Sequence, residues 1–157
     1  MQDKSYLRTL IDFNAWANEE MYQKVSELPP EEVKKERPTP LVSIYVSLHH
    51  LWNVDVMWMG HMTGQTHDYK TLRDVKIEEF DDLWAARKVM DKTLQDYVDG
   101  LSAEEMEEIV DYELLGGNTG SMSRVMCLTH LAMHGAYHRG WISDMFGQAG
   151  AQQPSID

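Results

Sequence analysis

The chain has a single cysteine, Cys127, so no intramolecular disulfide framework is open to it. Basic residues are scarce as well: 14 Lys and Arg stand against 26 Asp and Glu, a formal net charge of −12. Such a surface repels phosphate backbones, which are bound chiefly through Lys and Arg, so no nucleic-acid partner is expected. No apolar run reaches the roughly 18 to 20 residues that a membrane helix requires, and no membrane partner is expected either. The opening Met1-Gln2-Asp3-Lys4-Ser5-Tyr6 lacks the basic segment and apolar stretch of a secretory signal, which points to a cytoplasmic protein. Internal repeats, low-complexity tracts and interdomain linkers are missing too. A chain of 157 residues, 43% hydrophobic and 25% charged, therefore reads as one globular domain over residues 1–157.

What is present is helical periodicity. Leu7, Leu10, Asn14, Ala17, Met21, Val25 and Leu28 recur at spacings of three and four, which predicts a helix over residues 3–28. Pro29-Pro30 ends it, and residues 31–40 read as an exposed connection. A second helix is expected from about Leu41, apolar on more than one face until Gly60 and Gly64. Residues 60–78 show no clear period and are long enough to cross from one end of a bundle to the other. A third helix is expected over residues 78–100, with Leu83, Arg87, Met90, Leu94 and Tyr97 on one stripe. Ser102 and Glu105 have the spacing of a capping box, and residues 109–115 alternate before Gly116-Gly117 as a short hairpin would. The fourth helix is expected from near Ser121 to about Gln148, followed by a loosely held tail over residues 151–157. The fold class is thus all-α, a four-helix bundle with a long connection between the second and third helices.

The chemistry resides in histidines. His134 and His138 lie about 40° apart on a helix surface and one turn apart along it, so both imidazoles can address one point. A catalytic zinc-type site commonly has three protein ligands and an open position, so a third ligand from another helix is expected. His49 and His50 are the candidates, and periodicity does not separate them. His130 continues the row at the same spacing, but it would lie about 12 Å from His138 along one straight helix and reads better as a supporting or core residue. A carboxylate-bridged di-iron centre would need Glu three residues before paired histidines. Those positions hold Cys127, Leu131, Gly135 and Ser47. H-E-x-x-H and C-x-x-C are absent, which leaves a mononuclear all-histidine centre as the best metal reading.

Three blocks resemble the DinB-like (damage-inducible) family, and the resemblance covers nearly the whole chain. They are Phe13-Asn14-Ala15-Trp16-Ala17-Asn18, the run from His50 to Trp58, and His134-Gly135-Ala136-Tyr137-His138-Arg139-Gly140. The resemblance implies His50, rather than His49, as the third ligand beside His134 and His138. It further implies an up-down-down-up bundle, often homodimeric, holding one divalent ion. Zinc or nickel is the first expectation, with Fe2+ or Mn2+ also compatible. Trp141 departs from the family pattern, in which a smaller or polar residue such as Gln commonly follows the Arg-Gly, and a reshaped opening near the metal is implied.

Other polar residues on apolar stripes have simpler readings. Asn14 is expected to fix helix register or support the metal site, and Arg87 to form a structural ion pair with Asp55 as partner. Arg139, about 100° around from His138, is expected to cap a helix or make an interface contact. Cys127 reads as a small core residue. Two functions follow as expectations. One is a metal-dependent enzyme of the thiol S-transferase or hydrolase type, acting on a small-molecule thiol or electrophile, with no residue assigned a catalytic role. The other is a non-catalytic, stress-related metal-binding protein in which the ion is structural.

Overall fold

Each bundle helix is delimited by local chemistry. The computed structural model describes residues 4–65 and 67–156. Helix α1 (Lys4–Ser26) carries the predicted stripe inward and ends before Pro29-Pro30. Its expected start at Asp3 lies outside the described residues. Helix α2 (Pro30–Lys34) occupies the segment expected to be a plain connection. Pro30 suits a first helical position and Glu31 and Glu32 face the positive helix terminus, so one short turn is stable there. Arg37 is buried because its guanidinium donates to the carbonyls of Glu32 and Lys35, both at 2.9 Å, and pairs with the Glu32 carboxylate.

Helix α3 (Ile44–Thr63) begins later than Leu41, because the Ser43 side chain accepts from Val46 N–H at 3.1 Å and sets the N-cap. Helix α4 (Phe80–Gly100) and the short α5 (Ala103–Glu107) follow, the latter opened by the Ser102–Glu105 capping box. Strands β1 (Ile109–Glu113) and β2 (Thr119–Ser123) form the expected hairpin, with Ile109 opposite Ser123 and Tyr112 opposite Gly120. A side chain at position 120 would sit 2.7 Å from the Tyr112 ring, so the glycine makes room for the aromatic across the ladder. Because β2 claims residues up to Ser123, the last helix α6 (Arg124–Gln148) starts three residues after the expected Ser121. The tail is not loose throughout: Ala151 and Ile156 pack against the core.

Side-chain contacts give the direction of each helix. Lys4 bonds the Asp99 carbonyl and Trp84 bonds Glu19, so α1 and α4 are antiparallel. Asp55 pairs with Arg87 and Tyr97 bonds the Met62 carbonyl, so α3 and α4 are parallel. His50 meets His138 and Trp58 meets His130, so α3 and α6 are antiparallel. The topology is up-down-down-up, and residues 64–79 return the chain along α3 so that α4 can run parallel to it. No helix is long and apolar enough to cross a membrane among the described residues.

Two apolar clusters fill the bundle. One joins Leu7, Ile11, Val54, Leu94, Val98, Leu128 and Leu131, and the other Met21, Val25, Leu48, Leu83, Ile142 and Met145. Between them lies a buried polar layer drawn from all four bundle helices. Arg87 Nη1 is 2.7 Å from Asp55 Oδ2 and Nη2 is 2.9 Å from Asp91 Oδ1. Asp91 Oδ1 also accepts from Asn18 Nδ2 at 2.9 Å, and Arg139 Nη1 donates to Asn14 Oδ1 and Asn18 Oδ1, both at 2.7 Å. Two carboxylates thus balance two guanidinium groups. Removing one partner of such a set leaves a buried charge unpaired, at about 3–5 kcal/mol. Arg87→Met is therefore expected to lower the unfolding free energy in urea by about that much, whereas a loss below about 1 kcal/mol, the worth of an exposed pair, would contradict this assignment.

Candidate metal centre

The adjacent histidines of α3 differ in what their nitrogens already do. His49 is wholly buried, with its Nδ1 3.1 Å from the Tyr45 carbonyl and its Nε2 accepting from the Ile77 backbone N–H at 3.4 Å. Both nitrogens are thus engaged, Nδ1 within α3 and Nε2 with the crossover. His50 Nδ1 lies 3.2 Å from the Leu72 carbonyl, which can only accept, so Nδ1 carries the proton. The Nε2 lone pair is then free, and it points at His134 Nε2, 3.2 Å away.

His138 completes the cluster. One nitrogen from each of His50, His134 and His138 lies within 4.8 Å of the other two. Ring centroids are separated by 5.1 Å for His50–His134, 4.6 Å for His50–His138 and 4.4 Å for His134–His138. A tetrahedral ion with metal–nitrogen bonds of about 2.0–2.1 Å requires nitrogens about 3.3 Å apart, close to the His50–His134 spacing. The Nδ1 atoms of His134 and His138 are buried with no hydrogen-bond partner among the described residues. A neutral three-imidazole set suits a divalent transition ion and not the all-oxygen shells of calcium or magnesium. The residues therefore fit such an ion.

Electrostatics favour the ligating form. Burial, then repulsion from His138 and His50, pushes the His134 pKa down to about 3. Burial and then His50 push His138 down to about 4, and burial lowers His50 as well. All three rings are neutral near pH 7.

Around the cluster, Trp141 and Tyr137 meet the His138 ring at 5.0 and 5.1 Å. Trp141, the departure from the family pattern, thus sits directly against a candidate ligand. His130, with its ring centroid 5.7 Å from that of His134 and also against Trp58, is exposed rather than in the core. Arg87 pairs with Asp55 as expected, and Cys127 is a fully buried core residue. Arg139 corrects the expectation of a cap or interface contact: it is buried and binds both α1 asparagines, locking the turn that carries His138. Asn18 shares this role, and its place one turn from Asn14 on the same stripe is the signal for it in the sequence. Gly135 is required by the same contact. A Cβ there would overlap Asn14 Oδ1 and lie 2.8 Å from Arg139 Nη1.

Fold and site together define a four-helix bundle with a convergent histidine triad between two of its helices. The DinB family model matches residues 1–157, and the chain belongs to the DinB family. It is 28% identical to Protein DinB of Bacillus subtilis (strain 168) over 160 aligned positions, covering 94% of this chain and 88% of that one. Two solved structures share the fold. A DinB-like protein from Bacillus cereus ATCC 10987 superposes with a TM-score of 0.68 at 14% identity, covering 90% of this chain and 91% of the other. YfiT from Bacillus subtilis, described as a probable metal-dependent hydrolase with an unusual four-helix bundle topology, superposes at 0.71 with 12% identity, covering 97% and 92%.

Two outcomes follow for the metal-free protein. Replacing an interior helical glycine with alanine ordinarily stabilises by up to about 1 kcal/mol, but Gly135→Ala is expected to cost about 1–3 kcal/mol by overpacking Asn14 and Arg139. Chemical denaturation decides the sign. The depressed imidazoles bind fewer protons in the folded than in the unfolded chain below the ordinary histidine value of 6.5. Their contribution to stability is complete above that pH and is lost as pH falls toward 4. His134→Gln should flatten the fall in urea midpoint between pH 6.5 and 4.5, and an unchanged slope would contradict the assignment.

Proposed function

We propose that this chain holds one divalent metal ion on His50, His134 and His138 and serves as a metal-dependent enzyme of the hydrolase or thiol S-transferase type. The observation that carries the reading is the convergence of three neutral imidazoles, one with its tautomer set by the Leu72 carbonyl so that its lone pair faces the others. When bound, the ion supplies Lewis-acid chemistry, giving a nucleophile from water or a thiol near neutral pH. Zinc and nickel match the donor set best, with Fe2+ and Mn2+ as alternatives. The name of YfiT as a probable metal-dependent hydrolase agrees with this reading.

The chain's own residues divide the remaining work. The Leu72 carbonyl holds His50 in one orientation, and Arg139 with the two asparagines holds the α6 turn bearing His138. No carboxylate joins the triad among the described residues, which supports a reading with the fourth position kept for water or substrate. The alternative, a non-catalytic protein with a structural ion, has less support, because the buried polar layer already ties the four helices together. The thiol or electrophile would be a small molecule, since buried Cys127 is no nucleophile for it. Exposed Phe13 and Trp16 on α1 and exposed Met133 and Tyr137 on α6 support pairing of two copies.

The test is elemental analysis after loading with zinc or nickel, together with a panel of esters, amides and thiol–electrophile pairs. Wild type is expected to retain one equivalent per chain, and His49→Gln and His130→Gln to keep it. His50→Ala, His134→Ala and His138→Ala are expected to lose it, along with any metal-dependent turnover. Metal retained by all three alanine variants would remove the site, while metal bound without turnover anywhere in the panel would leave the structural alternative.

A further inference from the structure

A second pair of imidazoles meets at the C-terminal end of α3. His61 is in the last turn of that helix, and His67 follows its cap in the crossover. The cap is tight: Gly64 takes a left-handed φ of 71°, and the N–H groups of Gly64 and Gln65 both reach the Gly60 carbonyl. The chain then comes back on itself, so that the His67 ring centroid lies 5.9 Å from that of His61, with the ring planes at 86°. Aromatic rings back both of them. Trp58 stands 5.5 Å and Tyr112 6.2 Å from His61, and buried Tyr69 stands 5.7 Å from His67.

One nitrogen on each ring is left over. His61 Nε2 and His67 Nδ1 are buried, and neither has a hydrogen-bond partner among the described residues, so the two neighbouring rings do not bond each other. A buried polar atom without a partner costs about 1–3 kcal/mol, and two of them in adjacent rings mark a place for a guest that serves both. An ion bonded to two imidazoles at about 2.0–2.1 Å holds their ring centroids about 5–6 Å apart, which matches the observed spacing. The charge nearby suits a cation. His61 also lines an open cleft of about 620 Å³ with Asp111 and Glu113 of β1, and no Lys or Arg lines it. Burial, and then His67, lower the His61 pKa, which keeps that ring neutral near pH 7.

We propose that His61 Nε2 and His67 Nδ1 form a second metal site, a two-imidazole site for a late first-row divalent ion such as Zn2+ or Cu2+. Neutral imidazole donors suit those ions. No third His, Cys, Asp or Glu joins the pair among the described residues, so water fills the remaining positions. With two protein ligands instead of three, the pair is the weaker site and gives up its ion on desalting. It therefore adds a second equivalent only while free metal is present. The pair is separate from the three-histidine centre and does not depend on the metal reading above. Trp58 and His130 stand between the two, with the His130 ring 5.3 Å from Trp58 and 5.7 Å from His134. An ion on the pair would tie the start of the crossover to the end of α3.

The test follows the imidazole nitrogen resonances of the nitrogen-labelled full chain by NMR as Zn2+ is added at about pH 7.5, where an ordinary histidine is neutral. In wild type one equivalent is expected at the three-histidine centre, and a further one is expected to shift His61 Nε2 and His67 Nδ1 together. One imidazole alone does not hold the ion, so His61→Gln should abolish the response of His67, and His67→Gln that of His61. The amide spectrum of each variant should otherwise stay that of the folded chain. His130→Gln should keep both equivalents. No shift at either ring in excess Zn2+, the result for a bridging water, overturns the proposal. A His67 shift that persists in His61→Gln, the mark of adventitious binding to one ring, overturns it too. Either of these with the three-histidine response intact leaves that centre standing, while a paired response at His61 and His67 without one supports the second site and overturns the first.

Discussion

Charge inside the bundle has to be neutralised, and that requirement organises the molecule. Asp55, Arg87, Asp91 and Arg139 bring two negative and two positive groups into the core, with Asn14 and Asn18 bridging them. The charges come from α3, α4 and α6 and the asparagines from α1, so the layer closes only if all four helices sit at one relative height. Apolar packing alone would tolerate sliding by a turn, whereas a buried carboxylate without its guanidinium would not. Burial raises Asp91 to about 6 despite the Arg87 charge, so the desolvation of this carboxylate outweighs the attraction of its partner.

The histidine triad uses the same register. His138 precedes Arg139, and His50 lies little more than a turn from Asp55, so the layer that aligns α3 with α6 also brings the imidazoles together. The parallel arrangement of α3 and α4 has a second consequence. It forces a long return segment, and that segment lies along α3, where Leu72 orients His50 and Ile77 occupies His49. Topology thus selects which of two neighbouring histidines presents a lone pair.

Much of this was legible in the sequence, and the exceptions share physical causes. Helix stripes, the long connection, the hairpin and the Arg87–Asp55 pair follow from period, turn residues and charge on apolar faces. Periodicity does not separate His50 from His49, because both stripes are buried and the difference lies in backbone groups more than twenty positions away, the Leu72 carbonyl and the Ile77 N–H. Family resemblance implies His50, and the hydrogen bonds leave His50 Nε2, not a His49 nitrogen, facing the other two histidines. Arg139 was misread because helical angle placed it away from His138 and said nothing of Asn14 and Asn18, more than 120 positions earlier. The start of α6 was missed by three residues since strand pairing, a long-range effect, overrode local helix preference up to Ser123.

The most direct test of a three-histidine centre with an open position is X-ray absorption at the metal edge of zinc- or nickel-loaded protein. The account predicts three imidazole nitrogens at about 2.0–2.1 Å, with the remaining coordination from water or buffer that a small thiol displaces. A shell of four protein ligands, or one without the outer scattering of imidazole rings, would contradict it.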